Sequence, residues 1–234
     1  MTDLHVATWN IRKCIGLDRK RDPHRTARVI AGIGADVVAL QEADKRLGRR
    51  PAALRAELVE AETGMQVADA GGHADSIGWH GIAILLAPGL TVSDRLSVHL
   101  PGLEPRGALF LDVEGKGRAF RVVAVHLGLL RSYRRAQLAT IRTRLDALED
   151  RPTLVLGDFN EWSDTTGLEP LGDFTVHAPG RSFHAARPVA ALDRIATHGG
   201  FELRDAGVIE TRDTRVASDH LPVWAKFKAP KVLP

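Results

Sequence analysis

The 234-residue chain is 44% hydrophobic, which suits one sizeable core better than two small domains. Its formal charge of +3 is too small to establish nucleic-acid binding by itself; 25 of its 32 basic residues are Arg, a bias that fits phosphate recognition and equally a genome rich in G and C. Cys14 is the only cysteine, which excludes an internal disulfide and a Cys-rich zinc framework, and with neither a secretory pattern at the start nor a run of about eighteen apolar residues the expectation is a soluble, cytoplasmic protein without stable membrane insertion.

In chain order, Val6–Ile11 is a short apolar run of strand type, and a helix is expected over His24–Ile33. A strand at Val37–Leu40 and a helix at Ala52–Thr63 follow. Gly71, Gly72 and Gly78 mark a loop before a strand at Ile82–Leu86, and Pro88 with Gly89 marks a turn after it. Ala108–Val113 and Val122–Leu127 read as strands. Ser132 is placed to cap a helix running to about Asp150, with Leu138, Ile141, Leu145 and Leu148 on one buried stripe. Leu154–Leu156 is a further strand. Several of these strands are almost continuously apolar and so need cover on both faces. The mixture implies an α/β or α+β sandwich in one domain over residues 1–228, with a frayed, dispensable tail at 229–234 and no visible repeat.

Four of the strands end on polar residues. Val6-Ala7-Thr8-Trp9 runs into Asn10, Val37 to Gln41 into Glu42, Val122 to Val125 into His126, and Leu154 to Gly157 into Asp158 and Asn160. Each residue taken alone also fits a structural role, as turn former, helix cap or satisfied core histidine. Together they resemble a site laid over one set of strand ends, where rigid strands aim side chains and the following loops vary. Downstream, Ala191-Leu192-Asp193-Arg194-Ile195 and Ala217 to Val223 add Asp193, Asp219 and His220. An Asp near a His fixes the imidazole tautomer, so Asp193 is the candidate orienter of His220, and Asp219 is a candidate metal or water contact or a turn former before Pro222.

These pieces, in this order, resemble the endonuclease/exonuclease/phosphatase superfamily. The likeness rests on Thr8-Trp9-Asn10-Ile11, Leu40-Gln41-Glu42, Gly81 to Leu85, His126-Leu127, Gly157-Asp158-Phe159-Asn160, Leu192 to Ile195 and Ser218 to Val223, and so spans nearly the whole chain. It implies a four-layer αββα sandwich, two mixed β-sheets packed face to face with helices outside, and hydrolysis of phosphate esters with a divalent metal. By the same likeness Asn10 and Glu42 would hold the metal with Asp219 beside them, His126 would touch the phosphoryl group, Asp158 and Asn160 would place water and phosphate, and Asp193 with His220 would form a dyad. Oxygen donors of this kind suit Mg²⁺, with Mn²⁺ as the alternative. Whether Asp158 or His220 takes the proton from water is open at this stage.

Basic residues cluster after the candidate strands: Arg12, Lys13, Arg19, Lys20, Arg21 and Arg25 after Asn10; Lys45, Arg46, Arg49 and Arg50 after Glu42; Arg131, Arg134 and Arg135 after His126. They would ring the site and draw an anionic phosphate ester, with Arg106 and Arg131 as candidate substrate contacts, unless they are a solvated face. His126 makes the sequence more similar to the deoxyribonuclease, sphingomyelinase and inositol-phosphatase branches than to abasic-site endonucleases. The leading expectation is therefore a phosphodiesterase or phosphatase of unassigned substrate. The alternatives are a nonspecific nuclease and a non-catalytic binding module on the same fold; oligomeric state stays open. Trp79, Trp162 and Tyr133 would stack on a base or sugar, or simply pack.

Overall fold

The structure is a computed structural model, described here for residues 3–45, 50–72, 75–164 and 166–230. Arg46 and Arg49 of the basic cluster, and the last four residues of the expected tail, lie outside the described residues. In chain order the elements are β1 Leu4–Asn10, α1 Pro23–Ile33, β2 Val37–Gln41, α2 Ala56–Thr63, β3 Gln66–Val67, β4 Ala83–Leu86, β5 Leu90–Leu100, β6 Arg106–Gly115, β7 Arg118–His126, α3 Arg131–Asp146, β8 Thr153–Asp158, β9 Thr175–His177, β10 Asp193–His198, β11 Glu202–Val208, α4 Thr214–Ala217 and β12 Val223–Lys228. No helix among the described residues is long and apolar enough to cross a membrane.

The strands make two six-stranded sheets, ordered β11-β12-β1-β2-β4-β3 and β5-β6-β7-β8-β10-β9. In each, the third and fourth strands are parallel and every other neighbouring pair is antiparallel. The helices α1 and α3 lie in the two connections between parallel partners, which antiparallel hairpins do not require. A duplication thus exists in the fold although no repeat is legible in the sequence.

Strand side chains alternate between faces, and the alternation sorts the apolar residues into three cores. Leu4 and Val6 of β1, Val122 and Ala124 of β7, and Leu154 and Leu156 of β8 share the core between the sheets. Ala7 and Trp9 face the other way, onto α1 residues such as Ile30 and Ile33. Val123, Val125 and Val155 pack on Leu138 and Ile141 of α3. Helix, sheet, sheet and helix form the four layers expected from the resemblance.

Two expected helix starts move. The α2 helix begins at Ala56 rather than Ala52, because Ala52 pairs with Asp44 in a β-bridge and the Ala53 N–H donates to the Ala43 carbonyl. In α3 the N-cap is Leu130, with no side-chain cap bond, so Ser132 already lies inside the first turn; the helix ends at Asp146, and Leu148 packs against the core from beyond its end. The helix expected over His24–Ile33 is α1, Pro23–Ile33: Asp22 accepts from the Arg25 N–H, Pro23 opens the helix and Gly34 closes it at φ 64°.

Candidate active site

The site grows out of the row of side chains that fills the space between the sheets. Leu4, Val6 and Thr8 put Asn10 on that row by period two; Val122 and Ala124 put His126 there; Leu154 and Leu156 put Asp158 there. Parallel pairing brings these ends to one edge, since Asn10 is in register with Gln41 and His126 with Asp158. Asp193 opens the antiparallel β10 directly opposite Asp158. The inward row is apolar in the depth of the sandwich and turns polar at its rim.

Asp158 is the hub. Its Oδ2 accepts from Asn10 Nδ2 at 3.1 Å, a bond that crosses from one sheet to the other, and its Oδ1 accepts from the Asn160 N–H at 2.9 Å. The Nε2 atoms of His126 and His220 lie 3.5 Å and 3.7 Å from the same Oδ2. Burial raises the Asp158 pKa, against the pull of His220. Asn160 stands at φ 51°, a left-handed conformation that Asn tolerates, and its amide donates to the Leu127 carbonyl at 2.9 Å.

His220 is held on the opposite side from Asp158. Its Nδ1 donates to Asp193 Oδ2 at 2.7 Å, its carbonyl accepts from Trp9 Nε1 at 2.8 Å, and Phe183 packs on its ring at 5.0 Å. Ser182 Oγ donates to the same Asp193 oxygen at 2.5 Å, while Asp193 Oδ1 is buried with no hydrogen-bond partner among the described residues. Burial would lower the His220 pKa, but Asp193 and Asp158 outweigh it and hold the imidazole well above its ordinary value.

Glu42 follows β2 at φ 54° and is met by Lys13 Nζ at its Oε2. Asn10 Oδ1 accepts from the Arg12 N–H at 3.1 Å, and Asp219 takes Arg12 Nε at 3.5 Å. Hard oxygen donors and a carboxylate that draws a cation are the features a divalent metal requires, so Asn10 and Glu42 fit one. Asp158, Asp193 and His220 also present ligand atoms within 4.8 Å of one another. Those atoms are engaged within the protein, His220 Nδ1 with Asp193 and Asp158 with Asn10 and Asn160, as Glu42 Oε2 is with Lys13 and Asn10 Oδ1 with the Arg12 N–H.

Arg106 lines the pocket with Glu42 and His126, its Nη2 2.5 Å from Glu104. Arg131 is instead drawn to Glu161, with half of its side chain exposed. Glu161 escaped the sequence reading. It is fully buried, bound by Arg131 at 2.9 Å and Arg134 at 2.7 Å, and with the Ser163 N–H these donors overcome burial to draw its pKa down to about 2. Arg194, also buried, donates to the Glu161 and Ser163 carbonyls, so the loop after β8 is clamped from both sides. The only signal in the sequence was an acid next to the Asp158–Asn160 motif. Ser182 and Phe183 carried none.

The sequence matches the model of the Endonuclease/Exonuclease/phosphatase family over residues 7–220. It is 32% identical over 161 residues to "Uncharacterized protein YbhP" of Escherichia coli (strain K12), a match covering 64% of this chain and 63% of that protein, so the match spans less than two thirds of the relative's length. The fold resembles the mannosyl-6-phosphatase of Bacteroides thetaiotaomicron VPI-5482, with a TM-score of 0.75 and 17% identity over 96% of this chain and 99% of that one. It also resembles the human Nocturnin catalytic domain with bound sulfate anion, with a TM-score of 0.73 and 18% identity over 97% and 94% of the two chains. At those identities the likeness to the solved structures establishes the fold.

Proposed function

Because the chain belongs to the endonuclease/exonuclease/phosphatase family, we propose that it is a divalent-metal-dependent hydrolase of phosphate esters, a phosphatase or phosphodiesterase. The observation that carries this reading is the meeting at Asp158 Oδ2 of Asn10, His126 and His220, three residues from distant parts of the chain. A hydrogen-bond network confined to the core would not need two imidazoles beside one carboxylate at a rim. The cleft beside it is also lined by Glu42 and Arg106.

Asn10 and Glu42, with Asp219 nearby, would hold Mg²⁺ or Mn²⁺, which when bound neutralises phosphoryl oxygens and stabilises the leaving oxygen. Asp193 keeps the Nδ1 proton of His220 and stabilises its positive form, leaving Nε2–H to donate to a phosphoryl oxygen as negative charge builds there. Asp158, its proton affinity raised by burial, takes the proton of the attacking water at its carboxylate. Asn10 and Asn160 hold that carboxylate in place, and His126 donates to the phosphoryl group. Arg106 supplies a further positive contact for it.

The test is hydrolysis of bis-para-nitrophenyl phosphate by the purified chain, with and without Mg²⁺, beside Glu42→Ala and His220→Ala. Metal-dependent turnover lost in both variants is expected; metal-independent turnover, or full activity in either variant, overturns the reading. A second reading, nucleic acid as the ester, is favoured by Trp162, which is 63% exposed and edge-on to Phe183 at 6.2 Å, next to His220. It predicts nicking of plasmid DNA that weakens steeply with salt, and no nicking at low salt removes it.

A further inference from the structure

The pocket extends past the reaction residues. Glu42 and His126 share a cleft of about 90 Å³ with Asp44, Arg50, His80, Glu104 and Arg106. Most basic side chains at this edge are matched by acids: Arg12 by Asp219, Lys13 by Glu42, Arg131 and Arg134 by Glu161, Arg135 by Glu169, and Arg106 by Glu104.

Arg50 is seated differently. Its Nη1 lies 2.9 Å from His80 Nδ1, its Nε is buried without a hydrogen-bond partner, and it makes no ion pair among the described residues. A guanidinium only donates, so His80 Nδ1 accepts and the imidazole proton sits on Nε2, which is 3.0 Å from His99 Nδ1. Burial, Arg50 and His99 push the His80 pKa down to about 4, so His80 is neutral at pH 7 and supplies no counter-charge. Asp44, the carboxylate on the same wall, accepts from Ser76 Oγ at 2.7 Å and the Gly81 N–H at 3.2 Å through one oxygen, and Arg50 favours its charged form electrostatically without forming an ion pair with it.

The seat is rigid. Trp79 packs edge-on to both imidazoles, with ring centroids 5.0 Å and 4.9 Å away. Gly107, next to Arg106, leaves room for it, since a Cβ there would fall 2.6 Å from Trp79 Cδ1. The seat also adjoins the metal side: His80 precedes Gly81, whose carbonyl accepts from the N–H of Ala43, the residue after Glu42. A partly buried guanidinium held by a neutral imidazole is a charge awaiting an anion, because desolvated cations are stabilised by paired acceptors.

We propose that Arg50, seated by His80 and His99, is a second anion subsite of this pocket, and that the substrate is a small phosphate ester carrying a further phosphate or carboxylate near the scissile phosphorus. This rests on reading the site as a phosphoester hydrolase. Loss of the second anion is then felt as weaker binding, while the phosphoryl group stays between Arg106, His126 and His220.

Calorimetric titration of the intact chain at fixed free Mg²⁺ tests it, with ligands whose C–P bonds this chemistry leaves intact: propylphosphonate, 3-phosphonopropionate and propane-1,3-diphosphonate. At least one two-anion ligand is expected to bind about tenfold more tightly than propylphosphonate, the worth of one charge-assisted contact. Arg50→Gln should abolish that gap and Arg50→Lys should restore part of it. Which ligand shows the gap tells carboxylate from phosphate. Equal affinities in the wild type, no binding of any ligand, or a gap that survives Arg50→Gln overturns the proposal. The hydrolase reading fails separately, through absent metal-dependent turnover of bis-para-nitrophenyl phosphate while the binding gap persists.

Discussion

In the first sheet the parallel pair β1 and β2 runs out into Asn10 and Glu42; in the second, the matching pair β7 and β8 runs out into His126 and Asp158. The loops that follow the two equivalent strands β2 and β8 are stabilised in opposite ways. After β8, the buried Glu161 gathers Arg131 and Arg134 while Arg194 caps two carbonyls, so charge is balanced inside the protein. After β2, Arg50 makes no ion pair among the described residues: its guanidinium rests on a neutral histidine, and Asp44 acts on it only electrostatically. One half of the duplicated fold fixes geometry with internal counter-charges, and the other leaves a cation for a ligand. Positioning and selection are thereby separated on equivalent loops.

The largest effect should come from breaking the fixed half at the chemistry itself. His220→Ala is expected to reduce kcat on bis-para-nitrophenyl phosphate on the order of 100- to 10,000-fold, as for loss of a positioned acid or base, with an unchanged far-ultraviolet circular dichroism spectrum. Asp193→Asn should lower kcat by less, since it keeps an acceptor for His220 Nδ1 but not the charge that raises its pKa. Comparable activity in both variants and the wild type would separate this site from catalysis.

Next in size is the clamp. Arg134 is buried, binds Glu161 through Nε and Nη2, and donates to the Leu129 carbonyl at 2.5 Å. Its removal leaves a buried carboxylate with the half-exposed Arg131 as its one counter-charge among the described residues, beside the neutral Ser163 N–H, so Arg134→Ala should cost about 3 kcal/mol in urea unfolding. Arg131→Ala, at the exposed end and screened by solvent, should cost clearly less. Equal losses would mean that burial does not distinguish the two arginines.

The same clamp sets a pH window. The Glu161 carboxyl is drawn from its ordinary 4.5 down to about 2 in the folded protein, so the unfolded chain binds its proton first as the pH falls. Its contribution to stability is complete above 4.5 and is lost as the pH drops towards 2. Between those values the wild-type melting temperature should fall faster than that of Glu161→Gln, which has no proton to take up. Parallel curves would show that the carboxylate is not held charged.

What the sequence revealed follows from burial. Strands β1, β2, β4, β6, β7 and β8 are covered on both faces and read as apolar runs. Strand β5 was missed because it is an edge strand, largely exposed, whose Ser93-Asp94-Arg95 centre breaks any run. Strand β12 keeps Val223, Ala225 and Phe227 buried with half-buried Trp224 and exposed Lys226 between them, a period-two pattern rather than an apolar run. The site was legible where polar residues end apolar strands. The Glu161 clamp and the Arg50 seat were not, because each joins residues about thirty positions apart, and no local pattern distinguishes an arginine that meets a glutamate from one that meets a histidine.

The smallest effect concerns the helix that leaves the fixed half. Ser132 lies in the first turn of α3, and the N-cap position belongs to Leu130, whose side chain cannot accept a hydrogen bond. Ser at a true N-cap stabilises by about 1 kcal/mol over Ala, whereas inside a helix Ala is the better former by a few tenths. Ser132→Ala should therefore leave the urea midpoint unchanged or raise it slightly. Leu130→Ser, which supplies an acceptor where the backbone N–H groups of the first turn lack one, should raise it more. A loss of about 1 kcal/mol in Ser132→Ala would put the cap back where the sequence alone suggested.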